Sequence, residues 1–183
     1  MPADLPEAMR LVATGRGFMS SFLGDADVRT RLFDGNIVRD RVIVATQNGR
    51  VVGYATFKLD GKGPYQPCLA DFRRVYGRKP SVWKYLLFRL LERRKNSSGL
   101  YLCGLKVMYR ARRQGIGQQL LSEFEQQAVR LQKKYVNLEV FSENHRAQQL
   151  YTQRGYATKK EISFPLLSRI FPFSRVIHMR KKV

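Results

Sequence analysis

Two short apolar runs flank an Asn-Gly pair in the first third of the chain. The run at residues 42–45 reads Val-Ile-Val-Ala, and the run at residues 51–57 follows after Asn48 and Gly49. A two-residue hairpin turn needs positive φ at both central residues, and Asn and Gly adopt it most readily. The pattern therefore predicts a β-hairpin with strands on either side of this turn.

The first 40 residues are predicted to form a helical N-terminal part. Apolar residues recur at loose helical spacing from residue 7 to residue 23. Gly24 then offers a stop, and the acidic residues that follow it offer an N-cap for a second short helix.

Residues 60–99 interrupt the succession of strands. Six Gly and Pro residues between positions 60 and 80 predict a loop-rich segment with at most a short helix around residues 69–76. Ser81 can cap a further helix that runs to about residue 95. The apolar positions of that helix at helical spacing are Val82, Tyr85, Leu86 and Leu90, with Trp83 and Leu87 as further candidates. Basic residues alternate with them, so the helix is expected to cover the sheet and expose a basic face, or to meet an acidic substrate, RNA or a membrane.

Strand and helix patterns then follow each other in order. Residues 100–108 suit a central strand, and residues 115–134 predict a long amphipathic helix whose apolar face carries Leu120, Leu121, Phe124, Ala128 and Leu131. Residues 135–141 alternate as a strand, and residues 144–154 predict a helix that Gly155 ends. Two more strands are predicted at 157–164 and 175–180. The order of elements indicates a mixed α/β fold.

Charge is the unusual feature of the composition. The 183 residues suit a single domain, and 44% of them are apolar, which is enough for a core. Lys and Arg total 34 against 14 Asp and Glu, a net charge of +20. Such a field attracts polyanions, including nucleic acid, the ribosome, an anionic membrane or an acidic substrate, but it does not choose among them.

Cysteine usage and the absence of a leader pattern favour a cytoplasmic protein. Cys68 and Cys103 cannot build a disulfide framework, and their apolar neighbours predict buried free thiols. The first residues lack the basic and apolar regions of a signal peptide, and no apolar run is long enough to span a membrane. The two histidines and two cysteines show no metal-ligand spacing, so no metal is expected.

An anion site is predicted where the apolar strand meets the long helix. Glycines allow a diphosphate to approach the backbone, the first NH groups of a helix lack partners, and the helix dipole adds positive potential. A plain loop with a basic rim remains the alternative. The spacing of the Walker lysine motif and the three-glycine dinucleotide motif are both absent, which leaves coenzyme A as the fitting diphosphate. The residues of this junction are Arg112, Arg113, Gln114, Gly115, Ile116 and Gly117.

These residues resemble the GNAT superfamily of acyl-CoA-dependent N-acyltransferases. Its signature is Arg or Gln, two residues, Gly, one residue, then Gly or Ala, and Arg112, Gly115 and Gly117 match it. Residues 105–107 look like the fourth strand of the family, although Tyr109 stands where the family often has proline. A second match downstream resembles the family's pattern after its fifth strand and consists of Asn144, Ala147, Leu150, Tyr151, Gly155 and Tyr156.

The resemblance, which covers about residues 41–181, implies a fold and a cofactor. The fold would be a twisted, mostly antiparallel sheet of six to seven strands flanked by helices, with a splayed cleft between the family's fourth and fifth strands. Residues 1–183 would form one N-acetyltransferase domain in which residues 100–156 bind acetyl-CoA. The backbone near Leu105 and Val107 and that of residues 112–117 would hold the cofactor, and Asn144 would contact it.

Catalytic roles also follow from the resemblance. Tyr151 would be the general acid that protonates the departing sulfur, with an aromatic core residue as the alternative interpretation. Glu139 on the next strand is a candidate base, because its neighbours point to the opposite face, but it could also face solvent. Water relays, Asp71, His145 or an acceptor that arrives unprotonated are further possibilities.

The sequence therefore predicts acetyl transfer from acetyl-CoA to an amine by direct attack. It does not choose among a polyamine, an antibiotic, an amino acid, a protein amine or an aminoacyl-RNA as acceptor. The rival interpretation is a module of the same fold that binds RNA, the ribosome or an anionic membrane without catalysis.

Overall fold

The computed structural model describes residues 11, 22–93, 99–163 and 175–183. The predicted helix at residues 7–23 lies almost wholly outside this part of the chain. Helices and strands follow one another in the order α1 (Ala26–Phe33), β1 (Val42–Gln47), β2 (Arg50–Lys58), α2 (Leu69–Tyr76), α3 (Arg78–Arg93), β3 (Leu100–Val107), α4 (Ile116–Arg130), β4 (Tyr135–Phe141), α5 (His145–Gln153), β5 (Ala157–Ser163) and β6 (Arg175–Lys182).

The described strands form one six-stranded sheet in the order β1-β2-β3-β4-β6-β5. Every neighbouring pair is antiparallel except β3 and β4, which run parallel and are connected through α4. A parallel pair needs such a crossover because its strands enter the sheet from the same end. The mixed, mostly antiparallel α/β fold is therefore confirmed.

The hairpin of β1 and β2 turns where the sequence predicts. Asn48 and Gly49 have φ angles of 51° and 71°, the left-handed values that this turn requires. Gln47 pairs with Arg50 across the turn, and a bulge follows between Ala45 and Thr46. The hairpin extends into the sheet through β2, which pairs with β3 on its other edge.

One face of the sheet packs against α4. Phe124 of α4 is fully buried, and its ring centroid lies 5.8 Å from that of Phe57 in β2. Alternate residues of β4, such as Leu138, point into the same cluster, as the period of a strand dictates. Tyr151 of α5 and Met179 of β6 complete it, so this core joins every element that surrounds the β3–α4 junction.

The other face is covered by α1, α2 and α3. Their shared apolar cluster includes Phe33, Phe72 and Phe88, which are 5% exposed or less. Lys58 of β2 points to this face and its Nζ lies 2.8 Å from the Glu92 carboxylate of α3. The buried ion pair fixes α3 against the sheet, because separating it would leave two charges unpaired away from water.

The start and the orientation of α3 differ from the prediction. The helix begins at Arg78, directly after Gly77 with its φ of 77°. Ser81 does not cap it; its hydroxyl is buried and donates to the Arg78 carbonyl at 2.9 Å. Phe88 faces the core, whereas four of the expected apolar positions are 42–60% exposed, namely Val82, Trp83, Leu86 and Leu90. Apolar residues occur on both sides of α3, so periodicity alone could not orient it.

Three smaller predictions were also wrong. Helix α4 ends at Arg130, four residues early, and Leu131 is 39% exposed beyond it. Cys68 and Cys103 are exposed rather than buried. Cys68 precedes the first turn of α2, and Cys103 lies where β3 separates from its neighbour, so neither sits at a core position despite apolar flanking residues.

Candidate functional site: a split in the sheet

The sheet opens between its two parallel strands. Strands β3 and β4 pair only at their first residues, and Leu102 opposite Leu138 is the last pair. Beyond it β3 stays with β2 as far as the Gly53–Val107 pair, while β4 stays with β6. The two halves of the sheet therefore diverge, and none of the described strands pairs with this edge of β3 beyond Leu102. This opening is the splayed cleft that the family resemblance implies between the fourth and fifth strands.

A β-bulge in β3 lies where this separation begins. Thr56 pairs with Gly104, but the next residue, Phe57, pairs with Leu102, so Cys103 is the extra residue of the bulge. A bulge bends its strand and increases the local twist. Because Cys103 directly follows the last residue paired with β4, the bulge accounts for the departure of β3 from its parallel neighbour.

Unpaired backbone donors lead from the end of β3 into α4. Gly115, with φ of 76°, is the N-cap of this 15-residue helix, and Arg113 has a φ of 63°. Gln118 and Gln119 both donate to the Gly115 carbonyl, at 2.9 and 3.0 Å. In the described part of the chain, the five NH groups of residues 113–117 have no acceptor. Consecutive NH groups at the positive end of a helix dipole form an anion site.

The side chains around these donors are basic and exposed. Arg112 donates from Nε to the Val107 carbonyl at 3.3 Å, and its guanidinium carbon lies 5.4 Å from the centroid of the Tyr109 ring. Gln114 donates to the Arg110 carbonyl and accepts from Gln47 of β1, both at 3.3 Å. These bonds hold the loop in place while Arg112 and Arg113 stay in contact with solvent.

Gly117 brings the end of β3, the start of α4 and the middle of α5 together. A Cβ atom built on Gly117 would lie 3.8 Å from both Val107 and Leu150 and 3.9 Å from Leu105. The side chain of Ile116 is 8% exposed and belongs to the core, so only its backbone can face a ligand. The structure therefore brings together the predicted binding residues from Leu105 to Gly117.

Tyr151 follows Leu150 on α5 and is 7% exposed. Its ring centroid lies 5.8 Å from that of Tyr156, in the same apolar cluster. Burial raises the pKa of Tyr151 to about 12. The phenol is therefore protonated at neutral pH, and because no described residue forms a hydrogen bond with its hydroxyl, it is available as a donor.

Asn144 is the N-cap of α5. Its side-chain oxygen accepts from the Ala147 NH at 3.3 Å and so satisfies one donor of the first turn. The residue is exposed. This cap fixes the start of the helix that carries Tyr151, and contact of Asn144 with a cofactor stays a prediction.

Glu139 lies on the sheet face opposite α4. It is exposed although β4 is a central strand, and it pairs directly with His178 of β6. Burial, followed by the charge of Glu139, raises the pKa of Tyr101 in β3. No pattern in the sequence singled out His178 as a candidate. The alternation of Ile177 and Met179 toward the core could have shown which way it faces, but its pairing with Glu139 depends on the register between two distant strands.

Asp71 and His145, the other residues that the sequence offers as possible bases, have local structural positions. The Asp71 carboxylate accepts from the Cys68 NH at 2.8 Å and from Arg74 at 3.2 Å, so it caps α2. His145 is the exposed first residue of α5. Among the described residues, no group of three or more His, Cys, Asp or Glu side chains could hold a metal ion.

Solved structures of acetyltransferases share this fold. The ribosomal-protein-alanine N-acetyltransferase from Brucella melitensis is 19% identical, with a TM-score of 0.60 over 100% of this chain and 96% of that chain. Ard1 from Thermoplasma volcanium is 18% identical, with a TM-score of 0.59 over 97% and 93%. A GNAT family acetyltransferase from Elizabethkingia anophelis with acetyl-CoA bound is 12% identical, with a TM-score of 0.52 over 78% and 75%. At such identities the likeness establishes the fold.

The sequence itself carries the family assignment. No curated protein matches the chain. The model of the acetyltransferase (GNAT) family matches residues 16–156, which is more than half of the chain. This range includes the cleft between β3 and β4, the NH donors of residues 113–117 and Tyr151. The chain therefore belongs to the acetyltransferase (GNAT) family.

Proposed function

We propose that this protein transfers an acetyl group from acetyl-CoA to the amine of an acceptor by direct attack. The observation that carries the proposal is the row of free NH donors at residues 113–117, next to the edge of β3 from which β4 diverges after Leu102. The GNAT structure from Elizabethkingia anophelis with acetyl-CoA bound supports the choice of co-substrate.

In this proposal, residues 100–156 hold the co-substrate in two parts. The free NH groups after Arg112 bind the diphosphate, aided by the dipole of α4 and the charges of Arg112 and Arg113. The backbone of Leu105 and Val107, on the edge of β3 that β4 leaves after Leu102, binds the amides of the pantetheine arm, as an additional strand would. Gly117 lets the arm pass close to the backbone of α4.

The acceptor nitrogen attacks the carbonyl carbon of the thioester, and the bond from that carbon to sulfur breaks. An NH group near Val107 polarises the carbonyl while charge develops on its oxygen. Tyr151 donates its phenolic proton to the departing sulfur, which leaves as a thiol. A protonated phenol is suited to this step because its pKa lies well above neutral pH.

The acceptor must lose a proton to become nucleophilic. Glu139 is the proposed proton acceptor, and His178 opposite it is a second titratable group on the same face. Because Glu139 is in contact with solvent, the proton can continue to water. Direct attack needs no covalent enzyme intermediate, and neither cysteine is assigned a role.

The acceptor is a small molecule or a protein. Residues 60–99 and the N-terminal part would shape its side of the cleft, because α1 to α3 cover the face on which Glu139 lies. One similar structure is a ribosomal-protein-alanine N-acetyltransferase, which makes protein amines worth testing. The family match lends no support to a polyanion-binding module without catalysis.

Calorimetric titration with acetyl-CoA and with free CoA, at moderate and at high salt, tests the proposal. We expect saturable micromolar binding of both ligands that survives high salt, because backbone donors and the pantetheine contacts contribute besides charge. An amine panel with detection of released thiol then identifies the acceptor. A folded protein that binds neither ligand, or loses both when salt rises, would contradict the proposal.

A further inference from the structure

Helix α3 exposes an apolar face to solvent. Val82, Trp83, Leu86 and Leu90 are 42%, 52%, 60% and 56% exposed. At about 100° per residue, all four lie within roughly a third of the helix circumference. The opposite side of α3 carries Ser81 and Phe88, both buried. This exposed face is therefore distinct from the face that holds α3 on the protein.

Cations accompany these apolar side chains. Arg78, Lys79 and Arg89 are exposed on the same side of the helix. Lys84 beside them has its Nζ 4.8 Å from the centroid of the Trp83 ring. The only acidic residue of α3 is Glu92, which is bound to Lys58 on the inner side. We call the seven exposed residues the α3 outer face: Arg78, Lys79, Val82, Trp83, Leu86, Arg89 and Leu90.

The chemistry of this face restricts its occupant. A nucleic acid would use the cations but would leave three aliphatic side chains against phosphate and water. A second copy of the chain would bring two sets of cations together, which charge repulsion opposes. An anionic lipid bilayer offers phosphates to Arg and Lys and an apolar layer directly beneath them to Leu, Val and Trp.

We infer that the α3 outer face binds the surface of an anionic lipid bilayer. The helix would lie in the plane of the interface, with Trp83, Leu86 and Leu90 below the headgroups and Arg78, Lys79 and Arg89 among the phosphates. None of the described helices is long and apolar enough to cross a membrane. This surface is separate from the proposed acetyl-CoA cleft, and the inference does not depend on that function.

The chain supplies its own probe, because Trp83 is its only tryptophan. Vesicles of phosphatidylcholine with one third phosphatidylglycerol should shift the Trp83 emission to the blue and carry the protein down in sedimentation. Vesicles of phosphatidylcholine alone should do neither. High salt should weaken binding, by about fivefold for each cation that contacts the bilayer surface.

Two variants separate the apolar from the electrostatic contribution. Leu86→Gln with Leu90→Gln should reduce vesicle affinity about tenfold or more, since burying one Leu contributes roughly that factor. Lys79→Gln with Arg89→Gln should reduce binding to anionic vesicles and remove most of its salt dependence. Val129→Gln is the matched control, because Val129 is 61% exposed on α4, on the other face of the sheet.

Three outcomes would overturn the inference: no binding to anionic vesicles, binding equally weakened by Val129→Gln, or binding insensitive to the double leucine change. Soluble polyglutamate or RNA could instead shift the Trp83 emission as much as the vesicles do. If Leu86→Gln with Leu90→Gln left that shift unaffected, the α3 outer face would bind an acidic macromolecule and not a bilayer. Acetyl-CoA titration of the same variants should be unchanged. Loss of vesicle binding with unchanged acetyl-CoA binding therefore concerns only the α3 outer face and not the proposed acetyl transfer.

Discussion

Val107 at the end of β3 and Gly117 in the first turn of α4 are separated by the space of one methyl group. A Cβ atom at position 117 would lie 3.8 Å from Cγ2 of Val107, an ordinary contact distance. The protein itself therefore has room for alanine, and a ligand that passes here is the reason to expect glycine.

Gly117→Ala should leave the protein folded and raise its free energy of unfolding by up to about 1 kcal/mol, because alanine favours a helix over glycine. The same change should weaken acetyl-CoA binding, since the methyl group occupies the cofactor's path. Gly117→Glu should abolish binding through bulk and negative charge at the diphosphate site, while an acidic residue in the first turn favours the helix. Urea unfolding and calorimetry on both variants check this, and unchanged affinity in folded Gly117→Glu would remove the proposed site.

Tyr151→Phe should lower kcat by roughly a hundred- to ten-thousand-fold, the usual contribution of a general acid. Affinity for acetyl-CoA and thermal stability should change little, because no described residue hydrogen-bonds the hydroxyl that is removed. Burial raises the pKa of Tyr151 to about 12, so the wild-type rate should show no loss from ionisation of this phenol up to about pH 10. If Tyr151→Phe kept full kcat, Tyr151 would be a core aromatic residue and not the general acid.

Glu139→Gln should lower kcat at neutral pH and lose less of it at high pH, where more of the acceptor amine is already unprotonated. The pH profile of kcat/KM separates this from a structural effect, which would lower the rate at every pH. Glu161→Gln is the control, because Glu161 is an exposed strand residue whose carboxylate lies 3.6 Å from Arg175 on β6. If the pH profile of Glu139→Gln keeps its wild-type shape, Glu139 is a solvated residue and another group accepts the proton.

Glu125→Ala should lower the free energy of unfolding by about 2–3 kcal/mol. Glu125 is 8% exposed in α4 and accepts at 2.8 Å from both Arg154, after α5, and Lys181 of β6. Removing it leaves two cations close together, although their partial exposure keeps the cost below the roughly 3–5 kcal/mol of a fully buried pair. Glu123→Ala, which removes the exposed ion pair with Arg130 and a hydrogen bond from Gln127, should cost less than about 1 kcal/mol. Urea unfolding compares the two, and equal costs would contradict the structural role of Glu125.

Alkaline pH should destabilise the protein through its buried tyrosines. Burial raises the pKa values of Tyr54 and Tyr151 to about 12. Above about pH 10 the unfolded chain loses these phenolic protons while the folded protein keeps them, so unfolding becomes more favourable as pH rises toward 12. The loss approaches about 1.4 kcal/mol per pH unit for each tyrosine. Tyr54→Phe should reduce the slope between pH 10 and 11.5, and an unchanged slope would show that Tyr54 ionises normally.

Local patterns in the sequence determined several elements of the fold and the position of the anion site. Asn48-Gly49 predicted the hairpin, and the alternation of residues 135–141 predicted β4. Arg112, Gly115 and Gly117 predicted where the NH donors of residues 113–117 lie. Turns, strand period and helix starts depend on neighbouring residues, so local patterns can predict them. The family resemblance supplied the cleft between the parallel strands. Which side of α3 faces the core, the exposure of Cys103 and the pairing of Glu139 with His178 were decided only by tertiary structure. Each depends on contacts between segments far apart in the chain, and local periodicity carries no information about such contacts.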